Sequence, residues 1–158
     1  MRHMKLAYVV ATVVALSLAS PGMAPARADA PPPTPLCATL KRIVAATSET
    51  PQWKTVRRGA VGTAIPAPLT RCSVMAYSGE SQYSCTATLT ATTVKPAYAK
   101  LAADVTACLG TTPTTRNDGM WTSADFKIPG GPIEVSVGAV EQPGANNYGL
   151  SLTVIERF

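Results

Sequence analysis

Histidine is almost absent from this chain of 158 residues: the one present is His3, inside a segment that reads as a removable leader. Without it, Ser-His-Asp and Cys-His hydrolase chemistry, imidazole general-base catalysis and histidine-containing zinc sites all lose their central residue. An apolar run of the roughly 20 residues needed to cross a membrane is also missing. The best candidate, from Leu6 to Leu18, is well short of it. No two of the four cysteines are near enough in sequence for a Cys-x-x-Cys redox centre or for the close ligand pairs that structural zinc favours. The glycine pair in Pro129-Gly130-Gly131-Pro132 is not followed by a Lys-Ser or Lys-Thr pair opening a helix, so it reads as a turn between strands and not as a phosphate loop.

What is there begins with a leader. Arg2, His3 and Lys5 precede the apolar run, a helix-breaking Ser20-Pro21-Gly22 follows it, and Ala26-Arg27-Ala28-Asp29-Ala30 offers overlapping small-x-small cleavage sites. Cleavage after Ala30 is expected, making residues 1–30 a signal peptide and the mature chain periplasmic or secreted, with no membrane span left. A lipid anchor on Cys37 is not expected, because Thr34-Pro35-Leu36 precede it and the apolar run is far upstream. About 130 residues then remain, the size of one domain with a modest core. The net charge falls from +5 to about +3, an ordinary solubility charge without the basic footprint that nucleic acid demands.

Residues 31–35, Pro31-Pro32-Pro33-Thr34-Pro35, read as an extended proline-rich lead, and residues 36–158 as a single globular domain. Leu36, Leu40, Ile43, Val44 and Thr47 recur at helical spacing and predict a first helix ending near Ser48. Residues 49–70 carry five prolines and glycines and read as a long connection with one short strand, held down by Trp53. Two alternating segments, Cys72, Val74 and Ala76, then Tyr83, Cys85, Ala87 and Leu89, flank Ser78-Gly79 and predict a β-hairpin.

From Val94 to Leu109 the apolar residues share one helical face, with Pro96 in the expected first turn and Gly110 at the C-terminal cap. A strand through Phe126 and Ile128 is weaker. Ile133 to Ala139 and Tyr148 to Val154 alternate clearly. The order helix, hairpin, helix, strands predicts an α+β domain with two helices on one face of a four- to five-stranded, mainly antiparallel sheet.

An even number of cysteines in an exported chain predicts disulfides. If the hairpin turns at Ser78-Gly79, residues whose numbers sum to 157 face each other, so Cys72 opposes Cys85 and the helix cysteines Cys37 and Cys108 pair. The rival pairing, in which each hairpin cysteine reaches a helix, stays open at this level.

One local cluster joins an aromatic to several cations: Trp53, Lys54, Arg57 and Arg58, in the long connection. Stacking and charge there would hold a protein or an anionic envelope component. The plainer reading, preferred on sequence alone, is a solvated basic loop with Trp53 in the core. The eight carboxylates of the mature chain are scattered over turns, a helix face and strands. Trp121 and Phe126 read as satellite core residues, with an exposed tryptophan there marking an interface. No cofactor, metal or nucleic-acid partner is expected. The functional expectation is a non-catalytic exported domain acting by binding, with inhibitor, immunity-type or envelope accessory roles compatible. The competing class is a histidine-free hydrolase using carboxylates or a serine with a lysine.

Overall fold

The structure is a computed structural model that describes residues 34–57, 65, 67–142 and 147–158. The predicted signal peptide, most of the proline-rich lead and Arg58 lie outside the described residues. Helix α1 spans Pro35–Ala46. It starts inside the expected lead because Thr34 accepts a hydrogen bond from the Cys37 N–H, and Pro35, which has no N–H to leave unpaired, occupies the first helical position. Leu36, Leu40 and Ile43 are buried at helical spacing, and Thr47 closes the helix, its hydroxyl donating to the Val44 carbonyl.

The long connection begins with a single helical turn, α2 (Lys54–Arg57), and residues 58–64 and 66, where its short strand could fall, lie outside the described residues. Strands β1 (Arg71–Tyr77) and β2 (Glu80–Thr90) form the hairpin. Gly79 at its turn has a φ of +83°, which only glycine adopts without strain. The register matches the sequence expectation, with Cys72 opposite Cys85 and Val74 opposite Tyr83.

Helix α3 spans Ala91–Leu109. It begins three residues before the expected Val94, because the Thr93 hydroxyl accepts the Thr90 N–H at 3.1 Å and caps the new end. Pro96 therefore falls inside the helix and not in its first turn, leaving the Thr92 carbonyl without its intrahelical donor. Gly110, at φ +65°, ends the helix and donates to the Thr106 carbonyl at 2.9 Å.

Strands β3 (Thr114–Asn117), β4 (Trp121–Lys127), β5 (Ile133–Gln142) and β6 (Asn147–Arg157) complete the described elements. The sheet has six strands in the order β1-β2-β6-β5-β4-β3, every neighbouring pair antiparallel. The expectation of four to five strands missed β3. All four of its residues are exposed, so no apolar alternation marks it, and it exists through backbone pairing with β4.

Because strand side chains alternate, register assigns each residue to a face. One face carries Tyr83, Cys85, Leu150, Leu152, Val154, Val135, Val137, Ala124 and Phe126, all buried. Helix α3 lies against β2, β5 and β6 there, and α1 packs against α3. Cys37 of α1 is bonded to Cys108 at the end of α3, with 5.2 Å between Cα atoms. Cys72 is bonded to Cys85 across the hairpin. Among the described residues no helix is long and apolar enough to cross a membrane.

Candidate functional site

The basic cluster does not assemble around an exposed aromatic. Trp53 is fully buried, its indole N–H donates to the Ser81 hydroxyl, and its ring stacks on Tyr83 with centroids 6.3 Å apart. It adopts a φ of 62°, uncommon for so bulky a residue. With both faces packed it has none to offer a ligand, so the plainer reading of this tryptophan is the one the structure gives. Lys54 is exposed beside it. The Arg57 side chain and Arg58 lie outside the described residues. Nearby, Glu49 accepts the Thr55 N–H at 2.7 Å and the Thr55 hydroxyl, and these bonds hold its carboxyl below the usual glutamate range, with Lys54 adding a smaller pull.

The opposite face of the sheet is polar, and no described helix packs on it. Antiparallel register places Ser73, Ser84, Thr153, Ser136, Asp125 and Thr114 in one row across all six strands. The next row is Arg71, Thr86, Ser151, Gly138, Ser123 and Arg116. Trp121, at the start of β4, belongs to the same face by alternation with Ser123 and Asp125. A glycine in the middle of a central strand weakens it, and its presence marks a close approach. At Gly138 that approach is the indole of Trp121: a Cβ built there would lie 2.7 Å from Trp121 Cζ2 and 2.9 Å from the Ser151 hydroxyl oxygen. The tryptophan thus lies over the strand next to its own, with 36% of its surface open to solvent.

Two depressions meet at Trp121. The larger, about 630 Å³, is floored by β2 and β6 through Ser84, Thr86, Thr88, Ser151 and Thr153, with Arg71 on one side and Trp121 and Val140 on the other. Ser84 and Thr153 exchange a hydrogen bond at 3.0 Å. Among the described residues the hydroxyls of Thr86 and Thr88 have no protein partner, and no carboxylate lies within ion-pair distance of Arg71. Among the described residues that line this groove none is acidic.

The smaller depression, about 380 Å³, is lined by two sheet carboxylates, Asp125 and Glu134. Both are already engaged. Asp125 accepts from Ser136 at 2.7 Å and Ser123 at 3.1 Å, and the Arg116 guanidinium is 3.4 Å away. Glu134 takes a two-point contact from Arg157, at 3.1 and 3.4 Å, and this bond is the main reason the arginine is held above its ordinary pKa. Both carboxylates serve as acceptors in side-chain contacts within the sheet. Among the described residues no group of three or more His, Cys, Asp and Glu side chains is placed to hold a metal ion.

The sequence reading of Trp121 as a satellite core residue is corrected here, since the structure turns it outward, and Gly138 carries no sequence expectation. The signal was available: with Phe126 taken as a core residue, counting back along the strand places Ala124 and Thr122 inward and Trp121 outward. Gly138 interrupts the outward series Glu134, Ser136 and Val140. No protein-family model matches the chain, and no curated protein matches its sequence.

Proposed function

We propose that this protein is exported, loses residues 1–30, and acts in the periplasm or outside the cell as a non-catalytic binding domain whose working surface is the polar face of the sheet. The observation that carries this is Trp121, held open to solvent over a strand glycine among side-chain hydroxyls that no packing requirement explains. Tryptophan is among the residues that most often anchor a recognition surface. The two disulfides support an oxidising compartment. The occupied state of Asp125 and Glu134 favours binding over carboxylate catalysis. Inhibitor, immunity-type and envelope accessory roles all use a surface of this kind.

The test is co-sedimentation of the purified protein with washed envelope fragments of the producing cell. Trp121→Ala is expected to lower the bound fraction about tenfold, as loss of an aromatic anchor does. Lys41→Ala, on the exposed side of α1, is expected to leave it unchanged. Equal sedimentation of the Trp121 variant and the parent overturns the assignment of the face, and no sedimentation of the parent overturns the envelope role.

A further inference from the structure

We infer that the groove between Arg71 and Trp121 binds an acidic saccharide. This rests on the reading of the polar face as the binding surface and names what that surface recognises.

The floor of the groove is built from β2 and β6, which lie in the interior of the sheet and pair with neighbours on both sides. Their backbone N–H and C=O groups are committed to those ladders, so an occupant is read by side chains alone. Addition of an extended peptide strand, which needs a free sheet edge, is excluded at this floor. The side chains offered are hydroxyls, with the Gln82 amide among them. A hydroxyl both donates and accepts, and it matches a ligand whose own groups do the same. The core of a protein–protein interface is instead enriched in apolar and aromatic residues, whereas the floor side chains on this face, Gln82, Ser84, Thr86, Thr88, Ser151 and Thr153, are all polar.

Trp121 supplies the complement to a sugar ring. An indole presents a broad apolar face with negative charge density, and the C–H groups on one side of a pyranose are its natural counterpart. Seating the indole over Gly138 holds it three strand spacings, roughly 14 Å, from Arg71 across the groove. The volume of about 630 Å³ falls within the range of small-ligand sites.

Charge then selects among saccharides. Among the described residues Arg71 is the sole charged one lining the groove. A guanidinium with no protein carboxylate beside it is best satisfied by a planar, two-point acceptor, and the carboxylate of a uronic acid is one. Asp125 and Glu134 lie in the neighbouring depression against Arg116 and Arg157, and Glu80 shares Arg157, so Arg71 is the charge that the groove itself presents.

The experiment is calorimetric titration of the full protein with tetragalacturonate and with its methyl ester, which keeps the sugar rings and removes the charge, repeated with an oligomer of mannuronate. At low ionic strength one of the two acid oligomers is expected to bind about tenfold or more tighter than the neutral ester, the size of a charge-assisted contact. Arg71→Gln is expected to bring the acid and the ester within about twofold of each other. Trp121→Ala, with its fold checked by circular dichroism, is expected to weaken both, and Gly138→Ala to do so with the indole still present.

Absence of binding by every oligomer, equal binding of acid and ester, or an acid preference that survives Arg71→Gln each overturns the proposal. If the oligomers fail while Trp121-dependent sedimentation persists and is abolished by proteolysis of the fragments, the occupant is a protein. The face then stands and the ligand class falls. If sedimentation is itself indifferent to Trp121, the face falls with it.

Discussion

Removing the two disulfides one at a time gives unequal losses whose order follows from the connectivity. Cys37 and Cys108 are 71 residues apart, and Cys72 and Cys85 only 13. In the chain-entropy account, a cross-link stabilises by restricting the unfolded chain, and the effect grows with the logarithm of the loop it closes. For loops of these lengths it gives about 4.4 kcal/mol for the helix bridge and about 2.9 kcal/mol for the hairpin bridge. The difference, about 1.5 kcal/mol, exceeds the error of a denaturation experiment on a domain whose whole stability is on the order of 5 to 15 kcal/mol.

Packing does not reverse this order. Cys37 and Cys85 are both buried, so each double replacement by alanine removes one buried sulfur and adds a similar cavity cost. The assay is urea unfolding of Cys37→Ala with Cys108→Ala against Cys72→Ala with Cys85→Ala, comparing free energies in place of midpoints because an opened denatured chain changes the slope. Equal losses, or a larger loss for the hairpin pair, refute the reasoning. Non-reducing mass mapping that joins Cys37 to Cys72 or to Cys85 refutes the connectivity beneath it.

Other predictions bear on particular contacts. Gly138→Ala places a methyl group 2.7 Å from the Trp121 ring; the indole is expected to swing outward, with a red shift of its emission and a loss of about 1 to 3 kcal/mol as in other overpacked sites. An unchanged spectrum denies that Trp121 lies over this strand. Glu49 is held below its ordinary pKa by Thr55. Its contact with α2 is therefore fully formed above the ordinary glutamate range and is lost as pH falls through the lower, folded value. The Thr55 amide resonance should titrate with a midpoint below 4.5 and stop titrating in Glu49→Gln. Trp53→Phe leaves the buried Ser81 hydroxyl without its donor and is expected to cost about 1 to 3 kcal/mol in urea unfolding.

The parts of the fold that were legible are those in which pattern and punctuation agree. Alternation on both sides of Ser78-Gly79 set the hairpin register to the residue, and with it the opposition of Cys72 and Cys85. The core stripe of α3 and its glycine cap were equally plain. Elements held by backbone pairing or by short polar contacts were not: β3 has no buried side chain, and the start of α3 depends on a bond between two threonines.

The two tryptophans show the limit most clearly. Trp53 stands among cations in sequence yet is buried against Tyr83, whereas Trp121, read with Phe126 as a satellite core residue, faces outward. Local composition pointed one way and strand parity the other. For Trp121 strand parity decides, because a shift of one residue exchanges the faces of a sheet; Trp53 lies in no strand, and its place is set by packing on Tyr83.

The central claim is that recognition happens on the polar face at Trp121 and not at Trp53. The two indole N–H resonances of the protein are separate reporters of the two places, since one is hydrogen-bonded in the core and the other sits at the groove. In a proton–nitrogen correlation titration with the acidic oligomer that binds, the Trp121 indole signal and the backbone amides of Thr86, Thr88 and Ser151 are expected to move together, while the Trp53 indole signal stays fixed. Movement of the Trp53 signal with the Trp121 signal unmoved, or shifts gathered on α1 and α3, would contradict the account.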